Sequence, residues 1–460
     1  MTLVFILLVL IALIVFATAR LQLSPFFTLL LAAFIAAFAY GLPLRDIDTI
    51  IRGGFGNIMG SIGLVIVLGT IIGVILERSG AAITMAESII RVFGQRFPTL
   101  TMSAVGYFVS IPVFCDSGFV ILNSLKRSLA RTLNTSPVAM TVALSTGLFA
   151  THTLVPPTPG PIAAAGNLGL GDNLGMVILA GLGFALIAAA TGLVWAHFSR
   201  HLHSAELDEE KNNAVSAEQN IATPELWGQR AGHHNGLPGP LLAFAPILVP
   251  ILLICIGSLA NYPADFFGRG ALYEWLNFLG KPLNALMAGL GCAVLLLRGD
   301  DRMKSFGEQT GHALVIAAPI LLVTGAGGAF GAVLAATPLG EFLGNSLSTL
   351  GLGVVMPFLV AAALKTAQGS STVALVAASA LVAPLLPQIG LDSDMGRVLT
   401  VMAVGAGAMT VSHANDSYFW VVAQFSRMDV PTAYRAHTGA TLAMGLVTIV
   451  AVWLVSLVAL

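Results

Sequence analysis

Charge is the property that this sequence lacks most. Only 9% of its 460 residues are Asp, Glu, Lys or Arg, whereas 57% are hydrophobic and the mean hydropathy is +0.90. Soluble domains carry roughly 25% charged residues, so this chain has too few to cover the surface of a water-soluble globule. The composition therefore predicts a polytopic, all-α membrane protein. The net charge of −1 excludes a general electrostatic attraction to nucleic acid.

Cysteine and the common enzyme motifs are scarce or missing as well. Cys115, Cys255 and Cys292 are odd in number and widely spaced, which supports neither a disulfide framework nor a zinc site. The sequence also lacks an HExxH pair, a GxSxG elbow and a phosphate-binding loop. We therefore expect a protein that is not an enzyme and that uses no metal or cofactor, with an intramembrane enzyme as a remote alternative.

Long apolar runs fill most of the chain. The first two runs follow each other closely, and no positive charge precedes the first, which predicts a retained span rather than a cleaved signal peptide. One long hydrophilic segment has too few apolar residues to form a core, so we interpret it as a solvated linker between two halves. The predicted organisation is N-terminal spans in 1–52, a first repeat in 53–200, the linker in 201–238, further spans in 239–300 and a second repeat in 301–460.

Polar or proline-rich interruptions break these spans near residues 112–118, 151–162, 365–372 and 409–417. The second pair follows the first at an offset of about 250–260 residues, and paired interruptions in corresponding positions are the best sequence indication of a transporter's binding site. Backbone freed at such breaks must be buried in protein or line a wet cavity. We therefore expect the four breaks to meet around a central site.

The interruptions carry ionisable side chains, namely those of Asp116, His152, Lys365 and the His413–Asp416 pair. A charged group in the middle of a bilayer costs roughly 2.5–3.5 kcal/mol on insertion scales, so each is a candidate functional group. The plainer alternative is a buried polar pair that only ties helices together. Because four such positions lie at matched breaks, a functional role is favoured over this structural alternative.

Lys365 is the expected receptor for an anion, helped by the N-termini of the broken helices. The hydroxyl and amide groups around it favour a polyhydroxylated carboxylate, and the open alternative is that Lys365 neutralises Asp116 or Asp416. The predicted substrate-binding residues are Ser117, Thr151, His152, Thr158, Asn167, Lys365, Gln368, Gly369, Ser370, Ser371, Thr372, His413, Asn415 and Ser417.

Transport against a gradient needs a group that changes charge during the cycle. Burial favours the neutral form of a carboxylate, so a buried Asp can carry a proton. We select Asp116 as the first proton-coupling residue, followed by Asp416 and His152. The same carboxylates and nearby carbonyls suit Na⁺, and the residues leave proton and sodium coupling open.

Five motifs at or beside these features resemble one family. They are FCDSGFVIL, THTLVPPTPGPIAA, GAGGAFGAVL, KTAQGSSTVAL followed by VAPLLP, and SHANDSYFW. With them, nearly the full length resembles the gluconate permease family, the gluconate:proton symporters and their relatives within the ion-transporter superfamily. The resemblance implies two inverted repeats with re-entrant hairpins and discontinuous helices, in a scaffold that forms a homodimer and an elevator-type transport domain. It also implies proton-coupled symport of a small hydroxylated carboxylate, a gluconate-like sugar acid or a related hydroxy or amino acid, across the bacterial inner membrane.

Two residues depart from the pattern of the family's gluconate carriers. Asp116 stands where Glu is usual, and Thr158 stands where His is usual. These differences favour a relative of gluconate over gluconate itself. A sodium-coupled symporter of the same architecture is the main alternative, and a channel is disfavoured because paired polar breaks suit a closed site better than a continuous pore.

Overall fold

Every regular element that the structure describes is helical, which confirms the all-α prediction. The computed structural model describes residues 2–19, 21, 23–94, 96–202, 237–260, 270–297, 301–337, 353–414 and 416–460. Most of the predicted linker, residues 203–236, lies outside the described residues, as does Asn415. The side chain of Gln368 also lies outside them.

The helices of the first half surround the first two interruptions. They are α1 (Thr2–Ala19), α2 (Pro25–Ala39), α3 (Leu44–Ile58), α4 (Leu64–Arg78), α5 (Ala81–Phe93), α6 (Pro98–Val109), α7 (Cys115–Thr132), α8 (Pro137–Leu154), α9 (Pro159–Asn167) and α10 (Leu174–Phe198). The prolines explain the second break, because each removes a backbone donor and clashes with the preceding turn.

The helices of the second half follow the hydrophilic segment. They are α11 (Pro240–Ala260), α12 (Ala271–Gly280), α13 (Pro282–Val294), α14 (Arg302–Ala335), α15 (Val355–Gln368), α16 (Ser371–Val382), α17 (Asp394–Met409), α18 (Ser417–Phe425), α19 (Val430–Ala433) and α20 (Gly439–Ala459). A π-helical turn, Tyr434–Thr438, joins α19 to α20.

Six segments of the described residues are helical, long and apolar enough to cross a membrane. They are Leu44–Arg78, Pro137–Asn167, Leu174–His201, Pro240–Gly257, Arg302–Ala335 and Val430–Ala459. Pro137–Asn167 is buried among the other helices, whereas the outward faces of the other five carry exposed large hydrophobic side chains, which suit contact with lipid. The chain is therefore a multi-pass membrane protein.

The boundary placed between residues 52 and 53 falls inside a helix. α3 and α4 are joined by a π-helical turn at Met59–Gly63, so Leu44–Arg78 forms one helical segment. The polar residues of α3 occupy its exposed face, where Arg52 and Asp48 form an ion pair of 2.7 Å, while Ile47 and Ile51 are buried. The charges at this point belong to an amphipathic helix rather than to a loop.

The two halves match in the order and packing of their interrupted helices. α6 packs on α8 and α8 on α10, just as α15 packs on α17 and α17 on α20. The α6–α8 and α15–α17 pairs each meet at a glycine: a Cβ on Gly147 would overlap the carbonyl oxygen of Ser103, and a Cβ on Gly407 would overlap that of Phe358. Such glycines let helix backbones approach closely. α10 and α20 also contact each other, which brings the two halves together.

Candidate functional site

The half-helices that begin at the four interruptions pack against one another in pairs. α9 contacts α16, where the Asn167 side chain donates hydrogen bonds to the Val376 carbonyl (3.0 Å) and to Ser379 Oγ (2.9 Å). α7 contacts α18, where Asn123 donates to the carbonyl of Phe425 at 3.1 Å. Fully buried Lys126 supports the same contact by donating to Ser426 Oγ at 3.2 Å. These bonds fix the relative positions of the helix ends that carry the candidate residues.

A buried ion pair joins two of the interruptions. Lys365 lies in the last turn of α15 and is fully buried, and its Nζ is 2.5 Å from Asp416 Oδ2. The same ammonium group donates to the carbonyl of Gly369. Gly369 has φ +88°, a conformation that favours glycine, and it turns the chain from α15 into α16. Lys365 therefore holds both Asp416 and the α15–α16 turn.

Asp416 is itself positioned by the chain around it. It is the N-cap residue of α18, where its Oδ1 accepts a hydrogen bond from the Tyr418 backbone N–H at 3.1 Å. Ser412 Oγ donates to Oδ2 at 2.5 Å. An N-cap acid satisfies an orphan donor and benefits from the positive end of the helix dipole. Three separate donors, on Lys365, Ser412 and the Tyr418 backbone, thus contact the carboxylate.

Asp116 and His152 complete the charged cluster, which we define as Asp116, His152, Lys365 and Asp416. Asp116 lies in the first turn of α7 and interacts electrostatically with Asp416 and Lys365, as does His152 near the end of α8. Among the described residues, neither Asp116 Oδ1 nor His152 Nδ1 has a hydrogen-bond partner, although both atoms are buried. Buried polar atoms are normally hydrogen-bonded, so these two suit a bound solute or water.

Other predicted site residues are hydrogen-bonded to the protein itself. The Thr151 hydroxyl donates to the Tyr107 carbonyl (2.9 Å), and the Thr158 hydroxyl donates to the Val155 carbonyl (2.6 Å). Asn167 links α9 to α16. The side-chain donors of these three residues hold the broken helices in place and leave little capacity for a solute.

The remaining predicted residues lie at the edges of the cluster. His413 Nε2 is 2.8 Å from the Thr366 carbonyl, and Ser117 is hydrogen-bonded to Glu77. Ser371 is buried and Thr372 half-buried, whereas Ser370 and Ser417 are exposed.

A cavity of about 690 Å³ reaches the tip of the α15–α16 hairpin. It lies between α2, α14 and the first turns of α16, and its lining includes Ser370 and Thr372. Its size is within the roughly 300–1,000 Å³ typical of small-molecule sites. Lys365 and Asp416 do not line it, but the Gly369 carbonyl that Lys365 contacts directly precedes the lining residue Ser370.

Sequence reasoning did not single out the residues that surround the ion pair. The Phe149 ring centroid is 5.7 Å from Lys365 Nζ, and the Tyr418 hydroxyl donates to the Ser145 carbonyl at 2.8 Å. His437, in the π-helical turn before α20, is buried and contacts Ser145 and Ser412. The sequence feature that could have identified His437 is an ionisable residue at the start of an apolar span.

The buried ammonium group of Lys365 suits the cluster to binding an anion. No group of three or more His, Cys, Asp or Glu side chains able to hold a metal ion occurs within the described residues. A buried ammonium group with one carboxylate partner can exchange that partner for the carboxylate of a solute. Interrupted helices around such a group, inside an apolar helical protein, define a membrane transporter.

Similarity to known proteins identifies the family. The family model described as GntP family permease matches residues 1–458, and the chain belongs to this family of permeases. It is 32% identical to a gluconate permease of Pseudomonas aeruginosa over 95% of this chain and 94% of that protein. It is 31% identical to the D-serine transporter DsdX of Escherichia coli over 98% of both chains.

The fold is also found among solved transporter structures. MtrF of Neisseria gonorrhoeae, described as representing a class of antimetabolite efflux pumps, matches with a TM-score of 0.61 and 15% identity, over 95% of this chain and 96% of that one. This likeness shows a shared fold. The relatives are permeases and transporters, so the prediction that the chain is not an enzyme is confirmed.

Proposed function

We propose that this permease is a proton-coupled symporter of a small hydroxylated carboxylate across the bacterial inner membrane. The substrate class is a gluconate-like sugar acid or a related hydroxy or amino acid, in keeping with the relatives named for gluconate and D-serine. One relative is named an inner membrane permease. The observation that carries the proposal is the buried Lys365–Asp416 pair at the meeting point of the interrupted helices.

The charges of the cluster support coupling to a cation. One ammonium group and the carboxylates of Asp116 and Asp416 leave one net negative charge when all three are ionised and His152 is neutral. An anionic substrate entering alone would add a second negative charge in a region of low dielectric, where like charges repel strongly. A proton that enters with the substrate removes this penalty. In this proposal Asp116 and Asp416 are the proton-coupling carboxylates.

Competition for Lys365 provides the mechanism of coupling. While Asp416 is ionised, it holds the ammonium group at 2.5 Å and opposes binding of another carboxylate. Protonation removes the charge of Asp416 and frees Lys365 for the substrate. The ammonium group would then also leave the Gly369 carbonyl, which loosens the turn between the cluster and the cavity. Hydroxyl groups at the edge of the cluster, such as those of Ser370 and Thr372, would surround the rest of the substrate.

We further propose two inverted repeats with re-entrant hairpins, and an elevator-type movement of α6–α10 and α15–α20 against a dimeric scaffold. The matched order and packing of the interrupted helices support the repeats. The cavity between α2, α14 and α16 lies where these two units would meet. Movement of one unit past another is a common way to alternate access to a central site.

The deciding experiment uses the purified protein in proteoliposomes. Thermal-shift screening against sugar acids, D-serine and short hydroxy acids selects a substrate, and its uptake is then measured under an imposed pH gradient or an imposed Na⁺ gradient. We expect accumulation with the pH gradient alone, and counterflow that identifies a carrier rather than a channel. Accumulation that requires Na⁺ would favour the sodium-coupled alternative, which satisfies the same charge argument. Absence of any carboxylate binding would contradict the proposal.

A further inference from the structure

His437 lies beside the charged cluster but outside the four interruptions. It is fully buried, and its ring nitrogens face two hydroxyl groups: Nδ1 is 3.4 Å from Ser145 Oγ, and Nε2 is 3.2 Å from Ser412 Oγ. The rings of Tyr418 and Phe419 pack against it, with centroid distances of 5.3 and 6.4 Å. It lies in a π-helical turn, an irregularity that is frequent at functional sites.

Ser412 connects His437 to the ion pair. Its hydroxyl donates to Asp416 Oδ2 at 2.5 Å, the same oxygen that Lys365 contacts. The Ser145 hydroxyl donates to the Val142 carbonyl at 3.2 Å. Because both hydroxyl hydrogens point elsewhere, both oxygens can accept an N–H group, and a doubly protonated imidazole is fully hydrogen-bonded. After Nε2 loses its proton, the Ser412 hydroxyl can turn and donate to it, so the neutral ring is satisfied as well.

His437 lies in a turn that also carries exposed residues. Asp416 and Lys365 are the charged groups that act on it electrostatically, and Tyr418 is a further titratable group in contact with it. Tyr434 and Arg435, in the same π-helical turn, are exposed, whereas Asp416 is only 4% exposed. One hydroxyl, that of Ser412, lies between the His437 ring and the Asp416 carboxylate.

We infer that His437 delivers the coupling proton to Asp416 through Ser412. The inference rests on the proposed proton-coupled transport. In this step the His437 Nε2–H bond breaks and its proton moves to Ser412 Oγ, while the original Ser412 hydroxyl proton moves to Asp416 Oδ2. The products are a neutral imidazole, an unchanged hydroxyl and a neutral carboxylic acid. Lys365 then loses its anionic partner and is available to the carboxylate of the substrate.

The test compares His437→Gln with the wild-type protein in proteoliposomes. The probe is labelled D-gluconate or D-serine, whichever the wild type carries. Accumulation under an imposed pH gradient, with proton entry followed by a trapped pH dye, is measured beside substrate exchange at equal pH. We expect the initial rate of accumulation to fall by about a hundredfold, a loss typical of removing a positioned proton-transfer group, while exchange continues. Ser412→Ala should behave alike, and His197→Gln, at an exposed position in α10, should keep both activities.

The outcomes separate the relay from the proposed function. Normal accumulation by His437→Gln would overturn the relay while leaving proton coupling intact. Equal loss of accumulation and exchange would also overturn it, since that is the effect of a histidine with a purely structural role. Substrate uptake by the wild type without proton entry would overturn the proposed coupling, and the relay with it.

Discussion

Lys365 is the residue on which the charge balance of the site depends. Its ammonium group is fully buried and holds both Asp416 and the carbonyl of Gly369. A buried ion pair is weak evidence for stability, because the cost of desolvating two charges offsets much of their attraction. The proposed exchange of partners by this ammonium group during transport gives a functional reason to keep the pair.

Replacing Lys365 with Ala should lower the affinity for carboxylate substrates and destabilise the protein. The variant leaves Asp416 buried without its cation, which costs about 3–5 kcal/mol when one member of a buried pair is removed. Unfolding in detergent and substrate-induced thermal shifts would measure the two effects. The double variant Lys365→Ala, Asp416→Ala should regain stability without regaining affinity. Unchanged binding in either variant would place the anion site elsewhere.

Asp116→Asn should fold normally but lose proton-driven accumulation. The amide of Asn neither gains nor loses a proton at the pH values of a transport assay. Folding should be unaffected, because Asp116 Oδ1 has no hydrogen-bond partner within the described structure. Exchange of substrate at equal pH should persist, because it requires no net proton movement. Uptake into proteoliposomes under an imposed pH gradient is the measurement. A variant that concentrates substrate as the wild type does would show that the coupling residue is another one.

The sequence was more informative about charges than about hydroxyl groups. The four members of the charged cluster could all be predicted from it, because an ionisable group in an apolar span is costly and is usually kept for a function. The hydroxyls of Thr151 and Thr158 bind carbonyl oxygens of the protein instead of facing an open site. A Thr beside a helix end has several such partners available, and only the packing of neighbouring helices decides among them.

At the scale of helices, close packing depends on glycine at a few positions. Gly147 of α8 lies against α6, where a Cβ would overlap the Ser103 carbonyl oxygen. Gly183 of α10 provides a control, because nothing lies within 4 Å of the Cβ that it would carry. The two glycines are both helical and differ in what surrounds them.

Gly147→Ala should therefore destabilise the protein, whereas Gly183→Ala should not. Overpacking typically costs about 1–3 kcal/mol. An unobstructed helical Gly-to-Ala change instead stabilises by roughly 0.5–1 kcal/mol. Thermal unfolding of the two variants in the same detergent measures the difference. Equal stabilities would show that α6 and α8 pack less closely than the structure indicates.

Helix breaks were easier to predict than helix continuity. Prolines and clustered polar residues act locally, and the helices indeed end and restart at Leu154 and Pro159, and at Gln368 and Ser371. The continuity of Leu44–Arg78 was missed, because the predicted boundary was placed beside its charged residues, between 52 and 53. Only their burial pattern reveals an amphipathic helix, and burial depends on the neighbouring helices.

At the scale of the whole molecule, the proposed elevator movement requires α16 to slide against α14. The Cβ that Gly327 of α14 would carry lies 3.5 Å from the Cβ of Ala380 in α16, within the usual range for a disulfide. By comparison, Gly160 of α9 and Leu375 of α16 would place their Cβ atoms 3.7 Å apart inside the same proposed mobile unit. The chain thus offers one cross-link between units and one within a unit.

We expect the oxidised Gly327→Cys, Ala380→Cys variant to bind substrate but not transport it. Oxidised Gly160→Cys, Leu375→Cys should transport, because both cysteines would move together. Uptake before oxidation, after oxidation and after reduction is measured for both pairs. Full transport by the first cross-linked pair would contradict the proposed movement. The sequence could not have supplied this test, because hydropathy predicts helices without revealing which of them touch.

The turn at Gly369 has a consequence for which solutes are accepted. One ammonium group holds this turn and also the only acid in direct contact with it among the described residues. In the proposed mechanism, closing the site and sensing a negative charge are therefore the same interaction. A neutral polyol with the hydroxyl groups of a sugar acid would offer nothing in exchange for those two partners. The permease would thereby reject uncharged sugars at the moment of opening, with no separate filter against them.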